Sequence, residues 1–314
     1  MRVATNAYTD SMLNQFNNLA SKQFTLQSEV SSGLSVQAPS DNPTAMQETL
    51  DLSAQQSANT QYASNISTLQ SRSNVIDGVL QSLNTITSRA GEIATLAGGA
   101  TNSQTDLNSY ADEVNKMITQ LVSAANTKDP ATGQYLFSGT ASNNPGVVTM
   151  TDSSGDVTGV QYKGNYEVNQ VQIGENQTTS VDVPAFNSSP SGARGLFLDA
   201  QSGADLFNHL ISLRDNLQSG NVSAITQTDA GNIQKDENNI AYQVANNGVL
   251  QNQLTAASNL ASSRSTTLNT AISNASSTDL VQTMVQLNQA QTAYQAALQS
   301  GSKIMSLSLL DYLK

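Results

Sequence analysis

Two stretches at opposite ends of the chain carry apolar side chains at alternating steps of four and three, and no other feature constrains the fold as strongly. Over residues 12–30 the series is Met12, Phe16, Leu19, Leu26 and Val30, with Gln23 the one polar member. Beyond Ser277 it is Leu280, Met284, Leu287, Tyr294, Leu298 and Met305, weakened by Gln291 and Gly301 and followed by Leu309 and Leu310. A stripe with a period near 3.5 residues runs along one side of a helix and needs a second helix to cover it. The two ends are therefore expected to pair, and these residues form a candidate assembly interface. An amphipathic helix can also pack inside one globular domain. Gly33, Pro39 and Pro43 count against that alternative, because they mark off the first helix as a separate unit.

Composition excludes several classes of function. Only 12% of the 314 residues are charged, 38% are apolar, and much of the rest is Ser, Thr, Asn, Gln and Gly. The net charge is -11 and the 13 Lys and Arg are scattered, so no basic stripe offers itself to nucleic acid. Cys is absent, which suits an extracellular protein without disulfides and equally a cytosolic one. The opening MRVATNAYTDSML lacks the apolar core of a cleavable signal peptide, and nothing approaches the ~18 apolar residues of a membrane span.

Along the chain, helical periodicity returns from Thr44 to about Ala97, through Tyr62, Ile66, Leu69, Ile76, Leu80, Leu83, Ile86, Ala90 and Ile93, with Ser73 in its middle. Gly98-Gly99 ends it, and 106–126 reads as a further helix. Residues 134–185 have a different grammar: segments 134–137, 147–150, 157–163, 166–173 and 178–183 are short and rich in Val, Thr and Tyr. Ser153-Ser154-Gly155-Asp156 and Lys163-Gly164-Asn165 look like hairpin loops, and a phase switch predicts a bulge near Asn169. Helices are expected again over 204–217 and 233–272, the second with a break at Asn246-Asn247-Gly248.

The fold class is thus α+β: an elongated antiparallel helical bundle or coiled coil from both termini, with an inserted small β domain. The division expected is 1–40 with 276–314 as a terminal coiled coil, 41–140 with 200–275 as a helical bundle, and 141–199 as an inserted outer β domain.

Residues that carry chemistry are few. His209 is the one His, beside an apolar stripe without Cys or a second His, so it is read as a helix-surface residue and no metal site is expected. Gly98-Gly99 lacks the Lys and preceding strand of a phosphate loop. Asp152, Asp156, Glu167 and Asp182 contain the elements of a glycosidase pair, but turns and exposed strand faces are the ordinary place for such residues. Asp152 to Asp156 with Gly155 falls short of a calcium loop. No catalytic residue and no cofactor are expected.

Several motifs resemble one known family. Ser31-Ser32-Gly33 followed by Pro39-Ser40-Asp41-Asn42-Pro43 resembles a junction of the bacterial flagellins and their relatives. Ala125-Asn126-Thr127 with Gly133-Gln134-Tyr135-Leu136-Phe137-Ser138-Gly139 is similar to a signature of the hook-associated branch, as is the ending Ser306-Leu307-Ser308-Leu309-Leu310-Asp311-Tyr312-Leu313. The matches are collinear over both terminal thirds and weak through the β insertion. The basic residue that commonly follows the junction glycine is replaced here, by Leu34 and Val36.

The resemblance implies a structural subunit that joins hook to filament and assembles through its terminal helices into a ring of identical copies. Hook-associated protein 1 would lie on the hook side and flagellin on the filament side. It also implies secretion to the flagellum by type III export, without a cleaved signal peptide, after a stay on an export chaperone. A divergent flagellin forming the filament itself is the alternative. A hydrolase would require a polar pocket in 134–185.

Overall fold

The computed structural model describes the backbone of residues 2–99 and 102–312, and the side chains of 10–99 and 102–303. The chain is α+β, with long helices at both ends and small sheets in the middle. Its elements are α1 (Arg2–Ser32), α2 (Pro43–Ala97), α3 (Gln104–Ala125), β1 (Val147–Thr151), β2 (Val157–Tyr162), β3 (Val171–Gly174), β4 (Gln177–Thr179), β5 (Phe186–Asn187), β6 (Leu198–Asp199), β7 (Ala204–Asp205), α4 (Leu206–Gln218), α5 (Val222–Ala224), α6 (Ala230–Ser276) and α7 (Leu280–Tyr312). They form two compact units. One holds 1–59 and 263–314, the other 60–262.

Local chemistry sets the helix starts. Pro43 opens α2, where its missing N–H costs nothing, and the Asn42 side chain accepts from the N–H of Ala45 at 3.1 Å. At α3, Ser103 and Asp106 form a reciprocal capping box. Asp279 accepts from the N–H groups of Val281 and Gln282 to cap α7.

The core of the second unit is the expected stripe of α2 meeting α3, α4 and α6. Ile76, Leu80, Leu83, Val114, Ile118, Phe207, Leu210 and Ile233 are buried there. Each such side chain stabilises by ~1.5–3 kcal/mol on burial. Phe197 joins this core to the β segments, touching Phe137 edge-on and Phe207 at a tilt. A smaller apolar patch sets Ile173 and Val181 against Ile66, Leu69 and Leu254.

The β region is more broken than its sequence suggests. Two antiparallel hairpins form, β1 with β2 and β3 with β4, and the short β5, β6 and β7 make a third sheet. The loop at 153–156 is a hairpin turn as expected, with Gly155 at φ +89° and the Asp152 carboxylate accepting from the N–H groups of Ser154 and Asp156. The expected strands 147–150 and 157–163 are present as β1 and β2, and three other expectations are corrected. Residues 134–137 are no strand, because Leu136 and Phe137 are drawn into the core and only Tyr135 bridges, to Lys128. Lys163 to Asn165 close no hairpin: Lys163 N–H donates to Gly146 and Asn165 N–H to Ser138. The bulges fall at Met150/Thr151 and Gln172/Gly174 rather than at Asn169, whose N–H donates to Asp182 instead.

No break occurs at 246–248, where α6 is continuous. Asn247 is buried and satisfied across the helix pair. It accepts from the Ser73 hydroxyl at 2.8 Å and donates to the Ser73 carbonyl and the Asp77 carboxylate. The irregularity lies earlier, as a π-helical turn over Ile225–Asp229. There the buried Asp229 carboxylate accepts from Ser212 and Asn216.

Candidate assembly interface

The first unit brings the two ends together. α1 and α7 pack along one another in antiparallel fashion, closed at one end by a turn pair. α1 stops at Gly33, whose φ of +74° suits glycine and whose N–H still reaches the carbonyl of Glu29. Leu34 then bridges to Ser277: Ser35 N–H donates to Ser276 at 2.8 Å and Thr278 N–H to Gly33 at 3.0 Å. The Asp41 carboxylate folds the rest of the turn by accepting from the N–H groups of Gln37 and Ala38. Those two donors hold its carboxyl below the usual carboxylate range. The junction motif is therefore a folding device, and Val36 is buried in it.

On α1 the expected seam faces inward: Met12, Phe16, Leu19, Gln23 and Val30 are partly covered and Leu26 is buried. On α7 the expected line is split. Leu287 and Tyr294 face the pair, Tyr294 meeting Phe16 edge-on with ring centroids 6.1 Å apart. Their covered companions are small, namely Thr283, Ala290, Ala297 and Gly301. Gly301 is buried, and a Cβ placed on it would come 2.8 Å from Met12 Cε and 3.2 Å from Phe16 Cζ. It completes the seam rather than weakening it, while Gln291 is exposed. The physical reason is volume: α1 supplies bulk and α7 makes room for it. A search for small residues at heptad spacing would have found this line.

Leu280, Met284 and Leu298 point elsewhere, at 45%, 50% and 47% exposure, and Val281 and Val285 join them on that side. α7 therefore carries one apolar face taken by α1 and a second one open. Met305, Leu309 and Leu310 lie outside the residues whose side chains are described.

The signature around 125–139 ties the β hairpin to α3. Asn126 holds Val147 with both ends of its amide, donating to the carbonyl and accepting from the N–H. Gly139, at φ +63°, lies so close to Asn165 that no side chain fits. The Tyr162 hydroxyl sits within hydrogen-bonding distance of the carbonyls of Phe137 and Asn165, and burial pushes its pKa up to about 12.

The residues considered for chemistry are occupied separately. Asp182 pairs with Arg72 at 2.8 Å, Asp156 accepts from Asn115, and Glu167 accepts from Thr140. His209 is less exposed than expected, because its Nδ1 lies 2.8 Å from the fully buried carboxylate of Asp236. Burial raises the pKa of that carboxyl, against the pull of His209. Among the described residues, no group of three or more His, Cys, Asp or Glu is placed to hold a metal. No described helix is long and apolar enough to cross a membrane.

Residues 3–142 match the family described as the bacterial flagellin N-terminal helical region. Flagellar hook-associated protein 3 of Salmonella typhimurium is 26% identical over 267 residues, covering 83% of this chain and 79% of its own length. Among solved structures, a flagellar hook-associated protein from Vibrio parahaemolyticus superposes with a TM-score of 0.64 at 21% identity, over 76% of this chain and 100% of its own. FlgL of Xanthomonas campestris gives 0.57 at 18% identity, over 69% and 98%. At those identities the structural likeness bears on fold alone. By sequence, the chain is thus similar to the bacterial flagellin N-terminal helical region over residues 3–142 and to flagellar hook-associated protein 3 over most of its length.

Proposed function

We propose that this protein is a structural subunit of the bacterial flagellum that joins hook to filament and acts by self-assembly rather than by catalysis. The observation that carries this reading is the double-faced α7. One face is used within the chain, and the other leaves Leu280, Met284 and Leu298 in water. An uncovered apolar stripe on a long helix is a surface made for further chains. In this reading Met12, Phe16, Leu19, Leu26, Val30, Leu287 and Tyr294 build the subunit's own terminal pair. The exposed residues, with Met305, Leu309 and Leu310, meet neighbouring subunits.

The terminal pair, 1–40 with 276–314, then forms the inner layer, 41–140 with 200–275 the supporting bundle, and 141–199 the outward module. Partners are further copies in a ring, hook-associated protein 1 on one side and flagellin on the other. An export chaperone covers the same apolar face before secretion. Kinship with hook-associated protein 3 over most of the chain favours the junction over the filament itself. Deleting the gene tests this. Cells should keep hooks, lose filaments and release flagellin into the medium, and normal filaments on the deletion strain would overturn it.

A further inference from the structure

The second unit has an open apolar line of its own. Tyr242, Val249 and Leu260 lie on one side of α6, since steps of seven and eleven residues bring a helix back to the same face. Val249 and Leu260 are 68% and 67% exposed. The Tyr242–Val249 part of the line walls a groove of about 340 Å³, faced by residues 180–184, Ala193 and Arg194. The Arg194 guanidinium lies over the Tyr242 ring at 4.2 Å, and no described carboxylate pairs with it. Asp182 lines the same groove but is already engaged by Arg72. An unpaired cation thus sits beside apolar side chains on a chain with 24 acidic and 13 basic residues.

We infer that this face of α6 is a lateral contact surface that takes a carboxylate-bearing face of a second copy of the chain. Charge complementarity points to the occupant. Each neighbouring copy carries a net charge of -11, and a planar guanidinium held over an aromatic ring keeps its N–H fork available to a carboxylate. The flanking apolar line is the kind of surface that another helix or strand covers. A polyanion such as nucleic acid is disfavoured, because one cation among so many carboxylates gives no basic stripe. The contact pairs two different faces, so it is heterologous and propagates from copy to copy, as a ring requires. It rests on the assembly reading above but uses a surface remote in sequence from the terminal helices.

The test is site-specific photo-crosslinking from position 249 of the full chain in flagellated cells, with position 284 on α7 carrying the probe in a parallel strain. The expected result is a product joining two copies, present in purified hook–filament structures and absent from unassembled protein. Arg194→Glu should cut its yield several-fold while the helical circular dichroism and its melt stay unchanged. A product with a different protein, or none while the chain is present in the assembled fraction, overturns the inference alone. Absence of the chain from that fraction, judged from both strains, overturns the junction reading and the inference with it.

Discussion

The backbone N–H of Ser35 donates to the carbonyl oxygen of Ser276 at 2.8 Å, and the Ser35 hydroxyl donates to the same oxygen at 3.1 Å. Ser35 lies in the turn leaving α1, and Ser276 is the last residue of α6, just before the turn into α7. Their bond fixes both turns at one level, so the register of α1 against α7 is set before any side chain of the seam is counted. Gly33 makes the approach feasible by taking a left-handed conformation.

Gly33→Ala tests that geometry. An added Cβ would meet nothing within 4 Å, so the cost is conformational alone, about 1–2 kcal/mol. Urea unfolding should shift by that amount, and amide exchange should rise around 33–37 and 276–278. An unchanged exchange pattern would show that the turn pair does not hold the helices.

The same turn should respond to acid. The Asp41 carboxyl is held below its ordinary pKa by the N–H groups of Ala38 and Gln37. A depressed folded pKa gives stability that is present above the unfolded value and lost as pH falls through the folded one. Exchange at Gln37 and Ala38 should therefore accelerate below the usual Asp range beyond the intrinsic pH effect. In Asp41→Asn that extra acid response should vanish.

Gly301 separates two kinds of substitution. Gly301→Ala gains ~1 kcal/mol of helix propensity and presses mainly on the mobile end of Met12, so stability should change by less than about 1 kcal/mol. Gly301→Leu would drive into Phe16 and Met12 and should cost about 1–3 kcal/mol. Equal effects of the two would mean that Gly301 does not face α1.

In the second unit, Arg72 and Asp182 form an ion pair with side-chain exposures of 15% and 6%. Removing only the cation leaves a buried carboxylate, so Arg72→Met should destabilise by about 3–5 kcal/mol. The double change Arg72→Met with Asp182→Leu should recover much of the loss, and denaturant melts of the three variants give the cycle.

The terminal pairing was legible because Met12, Phe16, Leu19 and Leu26 follow one helical period without ambiguity. The far side of the seam was not, because large apolar residues on α7 outweigh the small ones that fit against Phe16. Periodicity cannot say which of two apolar faces a helix keeps for itself. The break anticipated at Asn247 failed for a related reason. A polar residue that looks like an interruption in one helix is satisfied by Ser73 and Asp77 of another, which no local rule sees. In the β region, Leu136 and Phe137 have strand-like neighbours, but their burial against Phe197 overrides local preference.

The central claim is that α7 uses one face within the subunit and reserves the other for assembly. The most direct measurement is complementation of the deletion strain with Met284→Asp and Leu298→Asp together. Both residues are exposed, so the purified monomer should keep its helical content and its protection along α1 and α7. Burying the new carboxylates between subunits is costly, so cells should build hooks, fail to retain filaments and shed flagellin. Normal filaments on that strain, with the folded monomer intact, would contradict the assignment of the open face to assembly.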